Sequence, residues 1–453
     1  MRRFASAAAV AWLAIVAGDA AFASAPAAAA LPASTSSPRI VVAFANPPHA
    51  APGPAATTGS RYSGAGGYRV GQDAWEQARR VATTYGLHQV VSWPIQALSM
   101  HCVVFEIASR RTVPEVLAAL SKDSGVVLAQ PLQEFHTLTD AGAPVGSATP
   151  GATPAGATPA GAAPGGAVPA YNDPLYDLQT NLKALGIARA HQRTQGAGVR
   201  IALIDTAVDT GHPDLRGRVV RTDSYLMTPA PAGASLRHGT AMAGVMAAVA
   251  NNHIGIVGIA PLAQIEVFEA CWQLQPVSDA AACNTFTVAR ALAAALASGA
   301  PLVNMSFAGP ADPLLTALVE VGLKRGVTFV GAIAGADAPF PTTIPGVIAA
   351  AGTENPLPPG AFAAPAQHVM TLRPRGEYDF ESGTSVAAAE ITGIIALLMS
   401  ASPAHLSSGA IVSALRASPG GHSTDPTPVD VNAALAWLDA QHGGNPVAAR
   451  ARP

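Results

Sequence analysis

The sequence predicts an α/β fold, a doubly wound and mostly parallel sheet flanked by helices, with a small α+β unit ahead of it. Three observations lead there. From about Tyr171 onward, short apolar runs alternate with longer helical stretches, as buried parallel strands joined by helical crossovers do. Residues 39–140 hold two helix-like stretches among several strand-like ones, the pattern of helices laid on one face of a sheet. Between these regions, residues 141–170 are almost wholly Gly, Ala, Pro, Thr and Ser with a near-repeat of GATPA, which cannot bury a core and reads as a flexible linker. A chain of 453 residues has room for two or three domains.

Residues 1–23 begin with Arg2 and Arg3, continue in an apolar run from Phe4 to Ala17 and end in small residues at Ala21 and Ala23. That order reads as a signal peptide cleaved near Ala23, and it places the mature protein outside the cytoplasm, secreted or periplasmic. The uncharged run is shorter than the roughly 20 residues a spanning helix needs. No other stretch reads as long and apolar enough, so no membrane span is expected after its removal. In residues 39–140, IVVAF, CVVFEIAS and a final VVLAQPLQEFHTL read as strands, while DAWEQARRVATTYG and TVPEVLAALSKDSG read as helices. His101 and His136 have no evident partner there and read as ordinary surface residues.

In the larger region, 171–440, the strands expected are Val199–Asp205, Ile265–Ala270, Pro301–Phe307, Val327–Ile333 and Gly346–Gly352. The helices between them are expected at His238–Ala250, Asn284–Ser298 and Leu314–Arg325. Chemistry in such a sheet belongs beyond the carboxyl ends of its strands. Residues 441–453 read as a flexible tail, and with so little chain after the large region no membrane barrel is expected to follow it.

Apolar residues make up 49% of the sequence and charged ones 12%, about half the usual share, with a formal net charge of -2. That balance argues against nucleic acid or an anionic membrane surface as partner. There are three cysteines. In an oxidising compartment Cys271 and Cys283 could staple the loop between them and leave Cys102 over; the alternative is three buried free thiols.

Asp205 ends the first large-region strand, where this architecture places functional groups, although an Asp there can simply cap a turn. A dinucleotide site would need GxGxxG after the strand, whereas Gly196 and Gly198 precede it. An aspartyl phosphatase would want a second Asp two positions on, and that position is Ala207. His238 opens a helix whose Gly239 and Gly244 permit close packing; a lone His at a helix start is more often structural. Ser385, in GTSVAAAE, can be a mere helix start, since Ser and Thr satisfy orphan amides there. It can also be a nucleophile, because the unpaired amides of a first helical turn favour negative charge on a nearby oxygen. Each residue alone is weak; Asp, His and Ser in that order, each at the edge of a strand or helix, is stronger.

Three segments carry those residues: IALIDTAVDTGHPDL, HGTAMAG and SGTSVAAAEITG. With NNHIGIVGIAPLAQI, VNMSFAGP, PFPTTIPGVIAAAGT and PVDVNAALAW between and after them, the stretch from Tyr171 to Leu438 resembles the subtilisin-like serine peptidases. The resemblance implies that Ser385 attacks a peptide carbonyl, His238 takes its proton and Asp205 holds the imidazole. It implies that Ser306, Phe307, Ala308 and Gly309 bind the substrate backbone, with Asn304 structural. It implies too that residues 39–140 are an inhibitory propeptide, so that the expected partners are a protein or peptide substrate and the chain's own N-terminal part. A monomer is expected, with no cofactor, and no run of carboxylates reads as a calcium loop.

Three departures from the family pattern stand out. Ala207 replaces a glycine, which matters only if that residue needs a positive φ. Ala389 replaces a proline and should continue the helix. Ala336 occupies the position of the family's side-chain oxyanion donor, an Asn, and the neighbouring Asp337 would repel an oxyanion. A rival reading follows from that loss: a secreted pseudopeptidase or binding protein with weak or no catalysis.

Overall fold

The computed structural model describes residues 37–47, 70–139, 171–227, 236–275, 278–335, 337–354, 356–402, 404–418 and 426–441. The expected signal peptide 1–23, the expected linker 141–170, Ala336 and the expected tail beyond 441 lie outside the described residues.

The N-terminal unit begins with β1 (Arg39–Ala45), α1 (Gln72–Tyr85) and β2 (Leu87–Ile95). It continues through β3 (Met100–Ile107), α2 (Val113–Leu120) and β4 (Leu128–Pro131). Its four strands form an antiparallel sheet in the order β2-β3-β1-β4. α1 stops at Gly86, whose φ of 66° suits glycine, and α2 starts where Glu115 accepts the Thr112 amide at 2.7 Å. Alternation along the strands divides the apolar residues between two faces. Ile40, Val42, Val103 and Phe105 pack under the helices, while Val41, Ala43, Cys102 and Val104 face the large region.

That alternation corrects one expectation. His101 shares the helix-covered face with Val103 and Phe105 and is 1% exposed, not a surface residue, whereas His136 is exposed. The run VVLAQPLQEFHTL is also two strands. After β4 the chain breaks at Leu132 and Gln133, and β5 (Glu134–Thr137) leaves the first sheet altogether.

The large region opens with the short helices α3 (Thr180–Ala184) and α4 (Ile187–Ala190), followed by β6 (Arg200–Asp205) and β7 (Val219–Ser224). Next come α5 (Arg237–Ala247), β8 (Gln264–Glu269), β9 (Trp272–Gln273) and β10 (Ala281–Asn284). α6 (Thr285–Ser298), β11 (Leu302–Met305), β12 (Phe307–Ala308), α7 (Pro313–Lys324), β13 (Thr328–Ala332) and β14 (Ile348–Gly352) follow. The chain closes with β15 (Phe362–Ala364), β16 (Val369–Arg373), β17 (Glu377–Glu381), α8 (Thr384–Ala401), α9 (Ser408–Arg416) and α10 (Val431–Gln441).

Seven of these strands make one parallel sheet in the order β15-β14-β13-β11-β6-β8-β7. Both faces of its inner strands are covered, which is why those strands are largely apolar. In β6, Ile201 and Leu203 pack with α5 and α8, while Ala202 and Ile204 pack with α6 and α7. The edge strand β7 is mostly exposed and polar, which hid it from the apolar pattern. A second, antiparallel sheet has the order β12-β5-β10-β9, so the N-terminal unit's last strand lies between two strands of the large region.

α8 corrects another expectation. Its 18 residues are long and apolar enough to cross a membrane, yet 78% of them are buried here, as in the central helix of a globular core. Ala389 continues it without a break. Ala207 is not among the residues with positive φ, so the missing glycine costs the backbone nothing there.

Candidate active site

The inner strand β6 delivers Asp205 to the carboxyl edge of the sheet, where it is wholly buried. Its Oδ1 accepts the Thr206 amide at 2.6 Å and faces His238 Nδ1 at 2.7 Å. His238 is the second residue of α5. Gly239 lets that helix press on the strand end, since a Cβ there would come within 2.6 Å of the Thr206 carbonyl oxygen. Burial works against a proton on His238. The Asp205 carboxylate and its hydrogen bond outweigh that effect, Glu381 and Asp279 add to it, and the ring's pKa is raised above the ordinary histidine value.

Ser385 is the second residue of α8. The chain enters this helix through Gly383 at φ 126°, a conformation open to glycine. The Ser385 hydroxyl donates to the Ser306 carbonyl at 2.8 Å and accepts the Leu138 amide at 2.9 Å. The Ser385 amide donates to the Leu138 carbonyl at 3.2 Å. His238 Nε2 is buried without a hydrogen-bond partner. Asp205 and His238 are thus directly paired, whereas Ser385 turns its hydroxyl to β11's end instead of the imidazole.

The segment Ser306–Gly309 borders this site. A buried chain of hydrogen bonds runs from Thr392 to Asn304 at 2.9 Å, from Asn304 to Ser306 at 2.8 Å, and from Ser306 to the Ser385 carbonyl at 3.1 Å. It ties β11 to the first turns of α8, which accounts for Asn304 structurally. Phe307 and Ala308 pair with Thr137 and His136 of β5. Phe135 is buried against the rings of Phe307 at 6.2 Å and Phe340 at 5.3 Å. Gly309 leaves room for it, because a Cβ there would collide with the Phe135 ring.

Cys271 and Cys283 have Cα atoms 4.2 Å apart and sulfurs at bonding distance, while Cys102 is free and buried. Their loop carries Asp279, part of a cluster that sequence reasoning missed. Asp279 Oδ1 lies 2.8 Å from Arg237 Nε and 2.9 Å from Arg373 Nη1, and Arg373 Nη1 lies 2.5 Å from Glu381 Oε2. Burial pushes the Glu381 carboxyl up, with Arg373 opposing it. Arg237 adjoins His238 and Glu381 precedes the Ser385 segment, but nothing in the sequence pairs either with Asp279. Among the described residues no group of three or more His, Cys, Asp or Glu side chains is arranged to hold a metal.

Residues 196–355 and 326–419 match the model of the Subtilase family. Thermitase of Thermoactinomyces vulgaris is 31% identical over 244 residues, a stretch covering 51% of this chain and 85% of thermitase. The chain belongs to the subtilase family. By that kinship it is a subtilisin-like serine endopeptidase, and a subtilase acts on protein or peptide substrates. Subtilisin E of Bacillus subtilis is 28% identical over 229 residues, 46% of this chain and 57% of subtilisin E. Fervidolysin of Fervidobacterium pennivorans, a keratinolytic enzyme related to subtilisin, has a crystal structure that superimposes with a TM-score of 0.63. The match covers 88% of this chain and 61% of fervidolysin at 19% identity, so the likeness is one of fold.

Proposed function

We propose that this subtilase is an exported, self-inhibited precursor whose Asp205, His238 and Ser385 hydrolyse peptide bonds. In this reading residues 1–23 direct export, 39–140 are the inhibitory propeptide, 141–170 the tether and 171–440 the catalytic domain. One observation carries it: β5 occupies the groove between β10 and β12 and brings the Leu138 carbonyl onto the Ser385 amide. A chain laid there is placed as a substrate, and it keeps any other substrate out.

In the mechanism this geometry supports, the Ser385 hydroxyl turns from the Ser306 carbonyl to His238 Nε2, whose hydrogen-bonding capacity is unused. Serine is a weak nucleophile at neutral pH until a base takes its proton. Oγ then attacks the Leu138 carbonyl carbon, the proton passes to Nε2, and Asp205 stabilises the imidazolium. The Ser385 amide already donates to the oxygen that becomes negative. Collapse expels the Thr139 amine with that proton, and water releases the acyl group by the reverse steps. The Leu138–Thr139 bond is therefore the first one cut.

Full-length protein with Ser385 replaced by Ala should stay intact, while the wild type yields a fragment beginning at Thr139; mass spectrometry of the purified chains reads both. Hydrolysis should fall by several orders of magnitude, since the three residues act as a unit. Equal processing of the two proteins would exclude this reading. The second reading, a pseudopeptidase, is favoured by Ala336. A serine-reactive fluorophosphonate separates the two, because only an activated Ser385 is labelled.

A further inference from the structure

The groove around β5 does more than hold a backbone. The register of β10 with β5 sets Ala282 opposite His136, Cys283 opposite Phe135 and Asn284 opposite Glu134. One further rung brings Ala281 opposite Thr137, the second residue ahead of the Leu138–Thr139 bond. On its other side β10 pairs with β9, where the Leu274 amide donates to the Ala280 carbonyl at 3.1 Å. Hydrogen-bonded pairs alternate along an antiparallel ladder, so the polar groups of Ala281 point away from β9 and toward β5.

What meets them there is a side chain. The Ala281 amide donates to the Thr137 hydroxyl at 2.9 Å, and that hydroxyl lies 3.4 Å from the Ala281 carbonyl oxygen. Both residues are buried, Ala281 at 1% exposure and Thr137 at 7%. A buried amide that loses its acceptor bears the full cost of its desolvation, and a site built to bond a hydroxyl rejects the analogue that lacks it. The Cα atoms of Cys271 and Cys283 sit 4.2 Å apart and fix the spacing at the two ends of the β9–β10 segment. With β5 in place, the groove meets a hydroxyl at this position with both polar groups of Ala281.

We propose that this enzyme selects a hydroxyl-bearing residue, Thr or Ser, at the second position ahead of the bond it cuts, with the Ala281 backbone as the reader. The inference rests on the peptidase reading above in taking β5 as the pattern of a substrate. Aliphatic side chains of the same shape are disfavoured, because a methyl group placed where the hydroxyl accepts also excludes the water that would replace it.

Two measurements on the full-length chain test this. With Ser385 intact, Thr137→Val should slow the appearance of the Thr139 fragment about tenfold or more, and Thr137→Ser should restore the rate to within about threefold of wild type. Valine keeps the β-branched shape, so strand formation is retained. In the Ser385→Ala background, where nothing is cut, amide hydrogen exchange at Ala281 should speed up about tenfold with Thr137→Val and return with Thr137→Ser. Wild-type processing by Thr137→Val, or unchanged protection of Ala281, overturns the proposal. If even the wild type is never processed while the exchange results hold, hydroxyl recognition stands and the self-processing reading falls.

Discussion

His238 carries two opposed influences. Burial favours the neutral ring, while Asp205 at 2.7 Å, with Glu381 and Asp279 behind it, favours the cation and prevails. In the proposed role of general base His238 acts only when neutral, so the acid limb of kcat/KM against pH should lie above the ordinary histidine range. Glu381→Gln removes one of the negative charges and should move that limb to lower pH; a limb that does not move would exclude Glu381 as an influence on the base. At residue 336 the expectation comes from sequence alone. Removing one oxyanion donor costs about 10²–10³ in rate, a magnitude known for a subtilisin. Ala336→Asn should therefore raise kcat at least about tenfold with little change in KM, since the gain is confined to the transition state. Steady-state kinetics on one peptide decides it. No gain beside an ordinary wild-type rate would mean that other donors already fill the site.

α8 shows how an element can be legible while its chemistry is not. The alanine-rich apolar run announces a helix, and its uniform hydrophobicity announces a central one. Glu390 sits in the middle of it, wholly buried, with Asn181 donating to Oε1 at 2.7 Å. Glu390 Oε2 and Asn181 Oδ1 are both buried without partners, the arrangement expected if the carboxyl keeps its proton and donates it to the amide. Burial holds this carboxyl well above its usual value, offset only in part by Asn181. The folded chain then binds the proton more tightly than the unfolded one, so stability is lost as pH rises past the unfolded value of about 4.5 toward the folded one. Glu390→Gln supplies the same donor without a charge to bury. Its melting temperature should exceed that of wild type by a margin that grows from about pH 5 to about pH 8. A margin independent of pH would show that the carboxyl does not ionise across that range.

At the scale of the whole molecule, the N-terminal unit and the large region share one apolar cluster, in which the Trp93 ring meets Phe286 edge-on at 4.8 Å. Polar ties flank it. Gln130 accepts the Leu314 amide at 3.1 Å, near the start of α7, and the Gln133 carbonyl accepts the Thr285 amide at 3.0 Å, at the start of α6. The groove that holds β5 is completed on one side by β10, whose loop a Cys271–Cys283 bridge, the sulfurs being at bonding distance, would close. Closing a loop of this length stabilises by roughly 3 kcal/mol on the chain-entropy estimate. Reduction, or Cys283→Ser, should cost the protein about that much in denaturant melts, while Cys102, which is buried, stays unmodified. Both thiols recovered alkylated from unreduced protein would exclude the bridge.

The sequence by itself determined the parallel sheet and the order of its helices, and it singled out Asp205, His238 and Ser385 as candidates for the chemistry. Each is written locally, in strands buried on both faces and in motifs at a strand end or a helix start, where neighbours in sequence are neighbours in space. Tertiary structure alone decided which face of β3 His101 lies on, where β5 goes after leaving its first sheet, and that Asp279, Arg373 and Glu381 gather beside His238. The contact between Thr137 and Ala281 joins residues 144 positions apart. No periodicity records such a pair, because it forms only when two regions, each folded by its own local pattern, are packed together and their remaining polar groups must find partners in one another.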